Sequence, residues 1–395
     1  MKKEFLQTLP LPEFPLWDTQ KRIPFSFELE VTARCNNNCR HCCINLPAAD
    51  SDAKKQELSF EEIRDIVDQA LSMGALWCLI TGGEPLLRED FREIYLYMKK
   101  KGLLLSVFTN ATLVTADHVR LFQKYPPRDL EVTVYGVTRE TYERVTRKEG
   151  SYSAFVKGLS PLLAGGVEVR LKTMALRSNY HEIPEIARFC REKTKDYYRI
   201  DPFLHLRYDG NPERNEEIRA ERLSAEEIAA LEHADPDRLE AMRKICSLQA
   251  VAEPSKLDGK HLFRCGAGTD RFNVSFQGLF RLCASLWHQD CVYDLKAGTL
   301  QEAWHRLVPS VREIRSINKG FLENCCDCSI VDLCLWCPAN AYLETGAMDS
   351  YVDYFCRVAN ARAEMLRVTS VRRESTGKSS TQRMDRTCIS TPGGT

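Results

Sequence analysis

Residues 25–43 read FSFELEVTARCNNNCRHCC. The stretch opens as an apolar run, FSFELEVTA, that reads as a strand. It then places four cysteines, Cys35, Cys39, Cys42 and Cys43, in nine residues. The elements around this strand and its loop decide the fold.

Strands and helices alternate after it. LSFEEIRDIVDQALSMG is a helix: Ser59 and Glu62 form a capping box, Ile63, Ile66, Val67, Ala70 and Leu71 recur at helical spacing, and Gly74 stops it. ALWCLITGG is a second strand. EDFREIYLYMKKKG is a second helix, with Phe91, Ile94, Tyr95 and Met98 on one face. LLLSVFTN, DLEVTVYG, VEVRLKTMAL and YRIDPFLHL continue the strands, with helices expected near 115–123, 138–146, 153–164 and 181–193. Six such units with short connections predict an α/β fold, a partial (β/α)6 TIM-type barrel over residues 22–206. Chemistry on such a sheet lies at the C-terminal strand ends. The cysteine loop follows strand one, GGEP (Gly82–Pro85) follows strand two, and Thr109–Asn110 ends strand three.

The remaining chain divides by composition. Residues 1–21 form an N-terminal extension in which Pro10, Pro12 and Pro15 interrupt the apolar residues, which makes a poor signal peptide. Residues 207–245 are polar, charged and helical and read as a bridge. Residues 246–365 are cysteine-rich and predict a small metal-stapled domain. Residues 366–395 are rich in Ser, Thr, Gly and Arg and are expected to be disordered. Lys+Arg number 55 and Asp+Glu 55, so net charge gives no support for a nucleic-acid or anionic-membrane partner. No run approaches the ~20 apolar residues of a membrane span, and a cytoplasmic location is expected. There, 17 cysteines point to metal binding rather than disulfides.

Cys35, Cys39 and Cys42 have the spacing C-x3-C-x2-C. Three thiolates on one loop can hold three irons of a [4Fe–4S] cube and leave the fourth iron open to a ligand. A zinc site completed by His41 or Cys43 is the alternative. The combination of C-x3-C-x2-C after the first strand, six β–α units and GGEP after the second resembles the radical S-adenosylmethionine (SAM) enzymes over residues 22–206. That resemblance implies that SAM binds the open iron through its amino and carboxylate groups. It also implies that reductive cleavage gives a 5′-deoxyadenosyl radical, which abstracts a substrate hydrogen. Gly82, Gly83, Glu84 and Pro85 are implied to bind the SAM amino group, with glycines allowing close backbone approach. Asn110, Thr133 and Lys172 are further implied SAM contacts; their bland readings are a turn Asn, an ordinary strand Thr and a solvated Lys. The resemblance also implies an electron donor such as a flavodoxin or ferredoxin with its reductase.

The second cysteine region resembles the SPASM extension of the same enzymes. Cys265 is followed by Gly278 and Cys283; then come Cys325, Cys328, Cys334 and Cys337, spaced C-x2-C-x5-C-x2-C, and finally Cys356. The family's last central spacing is x3, so the sequence departs from it at Cys337. The resemblance implies one or two auxiliary [4Fe–4S] clusters: Cys325, Cys328, Cys334 and Cys356 on one, and Cys265, Cys283 and Cys337 on the other, with Cys246 as a distant fourth ligand. A pair of zinc sites is the alternative. Cys78 and Cys190 lie in apolar patterns and read as core; Cys43 receives no ligand role; Cys291 and Cys326 are alternates. Enzymes of this kind mostly modify peptides or proteins, for example by thioether crosslinks, and others act on small molecules or cofactor precursors. The sulfatase-maturing branch carries an Asp where this chain has Ala284. The reading is therefore a peptide- or protein-modifying enzyme, with small-molecule oxidation and a non-catalytic iron–sulfur or zinc protein as alternatives.

Overall fold

The computed structural model describes residues 22–194, 198–249 and 260–366. The N-terminal extension and all but the first residue of the expected tail lie outside these, as does the side chain of Cys246. The six expected strands are present: β1 (Ser26–Thr32), β2 (Trp77–Gly82), β3 (Leu104–Thr109), β4 (Asp129–Thr133), β5 (Val169–Met174) and β6 (Arg199–Asp201). They pair in parallel, each with the next. β6 is shorter than expected.

The helices between them fall where the apolar spacing puts them, at Phe60–Ser72, Phe91–Lys100, Ala116–Lys124, Arg139–Thr146, Ser151–Ala164 and Ile183–Lys193. Ser59 and Glu62 form the expected capping box. Phe27, Leu29, Cys78, Ile80, Leu105, Val107, Leu130, Val132 and Leu171 alternate along the strands and join Ile63, Ile66, Val67 and Ile94 of the helices in one buried core. The alternate positions, including Glu28, Glu30, Phe108, Glu131, Thr133 and Lys172, line the opposite, inner face.

The cysteine-rich region is built into this sheet rather than appended to it. β7 (Arg271–Val274) pairs in parallel with β1, and β8 (Leu279–Arg281) and β9 (Val292–Asp294) continue antiparallel beyond it. The order is β9-β8-β7-β1-β2-β3-β4-β5-β6, an open sheet that fits a partial barrel. Phe27 of β1 stacks on Phe272 of β7 with ring centroids 5.3 Å apart. The region also carries one long helix, Asp353–Met365.

Candidate functional site

The cysteine loop leaves β1 through an irregularity. Glu30 pairs with Thr81 but Thr32 pairs with Gly82, so Val31 bulges from the ladder. The Val31 carbonyl freed by the bulge accepts from Arg88 Nη1 at 3.0 Å. Arg34 anchors the next turn on Glu57 (Nε–Oε1 2.7 Å), and both are buried. The loop closes where Arg34–Cys35 pairs with Leu46–Pro47.

GGEP runs directly beside this exit. Gly83 N donates to Thr32 O at 2.7 Å and Glu84 N to Arg34 O at 2.9 Å. A Cβ on Gly82, whose φ is +134°, would lie 2.1 Å from Thr32 O; one on Gly83 would lie 2.2 Å from Arg34 O. The close approach that requires glycine is therefore to the backbone of the β1 exit. Glu84 is fully buried. Its carboxylate accepts from Leu86 N (3.1 Å), the Thr109 hydroxyl (2.8 Å) and Asn110 N (2.7 Å). Burial pushes this carboxyl up to about 7, with the three hydrogen bonds opposing the rise. Glu84 thus buckles the end of β2 to the end of β3. Asn110, held by that buckle, extends Nδ2 to Asn36 Oδ1 (3.0 Å) and to Cys35 Sγ (3.7 Å).

Cys35, Cys39 and Cys42 are electrostatic neighbours. Burial pushes the Cys35 thiol up to about 12, and the charges of Glu84 and Cys42 add to the rise. Burial also raises Cys39, reinforced by Cys42 and Cys35. Among the described residues no three His, Cys, Asp or Glu side chains are grouped to hold a single metal ion. Three more polar atoms on this loop are buried without a partner: both amide atoms of Asn37 and Nδ1 of His41. Burial pushes His41 down to about 4, so it is neutral, with its ring 5.3 Å from that of Tyr135. Grouped thiols with unanswered buried polar atoms around them fit a bound group on this loop.

Two arginines from the bridge clamp the loop. Arg207 Nη1 donates to Asn45 O (3.1 Å) and Cys42 O (3.4 Å), and Arg214 Nη2 to Cys39 O (2.9 Å). Composition alone makes this segment a spacer; its contacts make it part of the site.

Thr133 and Lys172 are paired in register on the inner face. Lys172 Nζ lies 2.9 Å from Glu131 Oε2 and 3.1 Å from the centroid of Phe108, and burial pushes it down to about 8. Arg199 reaches the same Glu131 oxygen at 3.4 Å.

The later cysteines form two groups. Cys325, pushed up to about 12 by burial, also feels Cys334, Cys328 and Cys356. Cys283, pushed up to about 12 by burial, feels Cys337 and Cys265. Cys337 caps the helix Pro338–Thr345, its Sγ accepting from Asn340 N at 3.4 Å. Cys291 is fully buried, 3.7 Å from Met348 Sδ, and Cys78 and Cys190 are buried in the core.

Residues 29–190 match the Radical SAM superfamily. That segment carries the cysteine loop, GGEP and most of the parallel sheet described above, and it is the part of the chain that the match covers. Its curated relatives include Fe-coproporphyrin III synthase of Methanosarcina barkeri, 32% identical over 197 residues, a match spanning 50% of this chain and 47% of that protein. The chain thus spans about half the length of this relative. AdoMet-dependent heme synthase of the same organism is 24% identical over 330 residues, 80% of this chain and 92% of that protein. Among solved structures, Streptococcus suis SuiB bound to the precursor peptide SuiA has a TM-score of 0.65 at 16% identity, covering 85% of this chain and 76% of SuiB. That likeness concerns the fold. No helix among the described residues is long and apolar enough to cross a membrane.

Proposed function

We propose that this chain is a radical SAM enzyme that cleaves SAM reductively and abstracts a hydrogen from a peptide or protein substrate, with thioether formation as one outcome. The observation that carries the reading is the meeting of three neighbouring thiols, Cys35 and Cys39 buried and Cys42 partly so, with GGEP and Asn110 at adjoining strand ends. A [4Fe–4S] cluster and SAM, when bound there, supply the hydrogen-abstracting radical. Cys35, Cys39 and Cys42 hold the cluster, and Arg207 and Arg214 fix the loop carbonyls. The Gly82–Pro85 segment, Asn110, Thr133 and Lys172 line the SAM side, with Glu84 acting through the segment it buckles. Cys325, Cys328, Cys334 and Cys356 hold one auxiliary cluster, and Cys265, Cys283 and Cys337 the other.

The inner face bears on the substrate. Lys172 and Arg199 are paired with Glu131, and Arg281 with Glu30. These lumen cations are already committed to acids, which favours a peptide over a polyanionic small molecule. The second reading, a cofactor precursor, draws on the alignment with heme synthase along 92% of its length.

The test is anaerobic reconstitution, iron and sulfide analysis, and incubation with SAM, dithionite and short peptides encoded beside the gene, read by mass spectrometry. The expected result is 5′-deoxyadenosine together with a mass change in one peptide. Production of 5′-deoxyadenosine by the Cys35→Ala/Cys39→Ala/Cys42→Ala variant would overturn the assignment of the site.

A further inference from the structure

Two aromatic rings stand between the two cysteine regions without joining the hydrophobic core. Tyr208 and Trp287 are half-buried, with ring centroids 4.7 Å apart and planes tilted by 35°. Among the described residues neither ring packs on the core, whereas Trp304 lies inside it and Trp336 against it. Tyr208 is rooted on the first cysteine loop, its N donating to Cys43 O at 3.3 Å. Trp287 is rooted on the second. There Leu286 N donates to Cys283 O at 3.2 Å and the Leu286 side chain is fully buried, which fixes the turn that Trp287 follows. The ring pair thus bridges the two loops by direct contacts.

An arginine backs each ring. The Arg281 guanidinium carbon lies 3.5 Å from the ring centre of Trp287, and its Nη1 donates to Ala284 O at 2.8 Å. The Arg207 guanidinium carbon lies 5.9 Å from the ring centre of Tyr208. Both charges are answered, Arg281 by Glu30 at 2.8 Å and Arg207 by Asp209 at 2.7 Å. The rings therefore offer apolar surface in surroundings whose nearest charges cancel. Tyr and Trp dominate binding hot spots, and half-buried rings that the fold does not spend on its own core are free to anchor a partner.

We propose that Tyr208 and Trp287 form a specificity subsite that receives an uncharged aromatic or large aliphatic side chain of the peptide substrate. This rests on the proposed reading that the substrate is a peptide handled between the two cysteine sites. An aromatic or leucine side chain set against both rings gains apolar burial. A charged one would lose water there while the nearest charges are already paired. The task of the two rings is selection of the substrate; the ligands and the SAM contacts are other residues.

The test is anaerobic isothermal titration calorimetry of the reconstituted, full-length protein. The probes are the blocked tripeptides acetyl-Gly-X-Gly-amide with X as Phe, Leu or Lys. Iron content and 5′-deoxyadenosine formation by the parent test the proposed function separately. The Phe and Leu probes are expected to bind at least about tenfold more tightly than the Lys probe. Tyr208→Leu and Trp287→Leu are each expected to weaken the Phe probe about tenfold, with iron content and SAM affinity at the parent level. Trp287→Phe keeps a ring for Tyr208 and Arg281 to contact and is expected to hold the Phe probe within about threefold of the parent. A parent that binds the three probes alike, or none of them, would overturn the inference. So would Phe binding that both leucine variants leave unchanged. Loss of the Phe probe only together with iron and SAM binding would mark the rings as a structural latch and overturn it as well.

Discussion

Glu84→Ala tests whether the acid of GGEP is a structural buckle, and pH supplies the discriminating axis. The substitution leaves three donors, Leu86 N, the Thr109 hydroxyl and Asn110 N, without their acceptor. At ~1–3 kcal/mol each, that loss is roughly 6 kcal/mol. The parent carries an opposing cost, because burial raises the carboxyl from 4.5 to about 7. A raised folded-state pKa gives stability that is fully present below the unfolded value and lost as pH rises through the folded one. The window is therefore pH 4.5 to about 7, worth ~3 kcal/mol in total at 1.36 kcal/mol per unit. By pH ~5.5 the parent has lost ~1.4 kcal/mol of it, and by pH ~8 ~3.3 kcal/mol. The alanine variant has no such dependence. Its deficit should be roughly 4–5 kcal/mol at pH ~5.5 and only about 2–3 kcal/mol at pH ~8. Anaerobic urea denaturation of the metal-free chain, followed by circular dichroism at the two pH values, measures both. A deficit that stays constant or grows between them would refute the buckle with its raised carboxyl.

Gly83→Ala should weaken SAM binding at least about tenfold in equilibrium dialysis, because the new Cβ meets the Arg34 carbonyl at 2.2 Å and backbone must move. Gly346→Ala is the control: its φ is +82° but nothing lies within 4 Å, so it should cost ~1 kcal/mol and leave SAM binding unchanged. Cys42→Ala should lose the iron of one cluster by colorimetric assay, whereas Cys43→Ala should retain it. Arg362→Met should destabilise by ~1–3 kcal/mol in denaturant titration, since Glu232, 3% exposed, loses two charged hydrogen bonds of 2.6 and 2.7 Å and keeps Arg238 at 2.9 Å.

The six strands and their helices are legible in the sequence because each helix repeats its apolar residues at helical spacing and each strand is bounded by turn chemistry. The division of Cys325, Cys328, Cys334 and Cys356 from Cys265, Cys283 and Cys337 comes from the family resemblance alone, since spacing by itself would keep Cys334 and Cys337, three positions apart, together. β7, β8 and β9 are not legible. Each is three or four residues long, too short for a period to show; the place of β7 is set by pairing with β1 some 240 positions away, and β8 and β9 follow from β7. The same distance hides the Glu30–Arg281 pair. Arg207 and Arg214 are hidden differently: in a polar segment, an arginine that clamps a carbonyl looks like any solvated one. The family resemblance makes Glu84 a SAM contact, and its burial against Thr109 and Asn110 gives it a structural task that a four-residue motif cannot reveal.

These long-range contacts make the barrel dependent on the chain beyond residue 206. A chain ending there keeps all six parallel strands and every motif of the first cysteine site. It loses β7, which leaves the edge of β1 unpaired and Phe27 without Phe272. It loses Arg281 and Asn273, the partners of Glu30. It also loses Arg207 and Arg214, which hold the carbonyls of Cys39, Cys42 and Asn45. An exposed, apolar edge strand is a template for aggregation, and a typical domain's stability leaves little margin for losing all of these contacts together. The 22–206 fragment is therefore expected to elute as aggregate in anaerobic size-exclusion chromatography and to retain no iron after reconstitution. A monomeric fragment with a SAM-responsive EPR signal would show that the barrel is self-sufficient and that the strands and arginines beyond it only decorate the site.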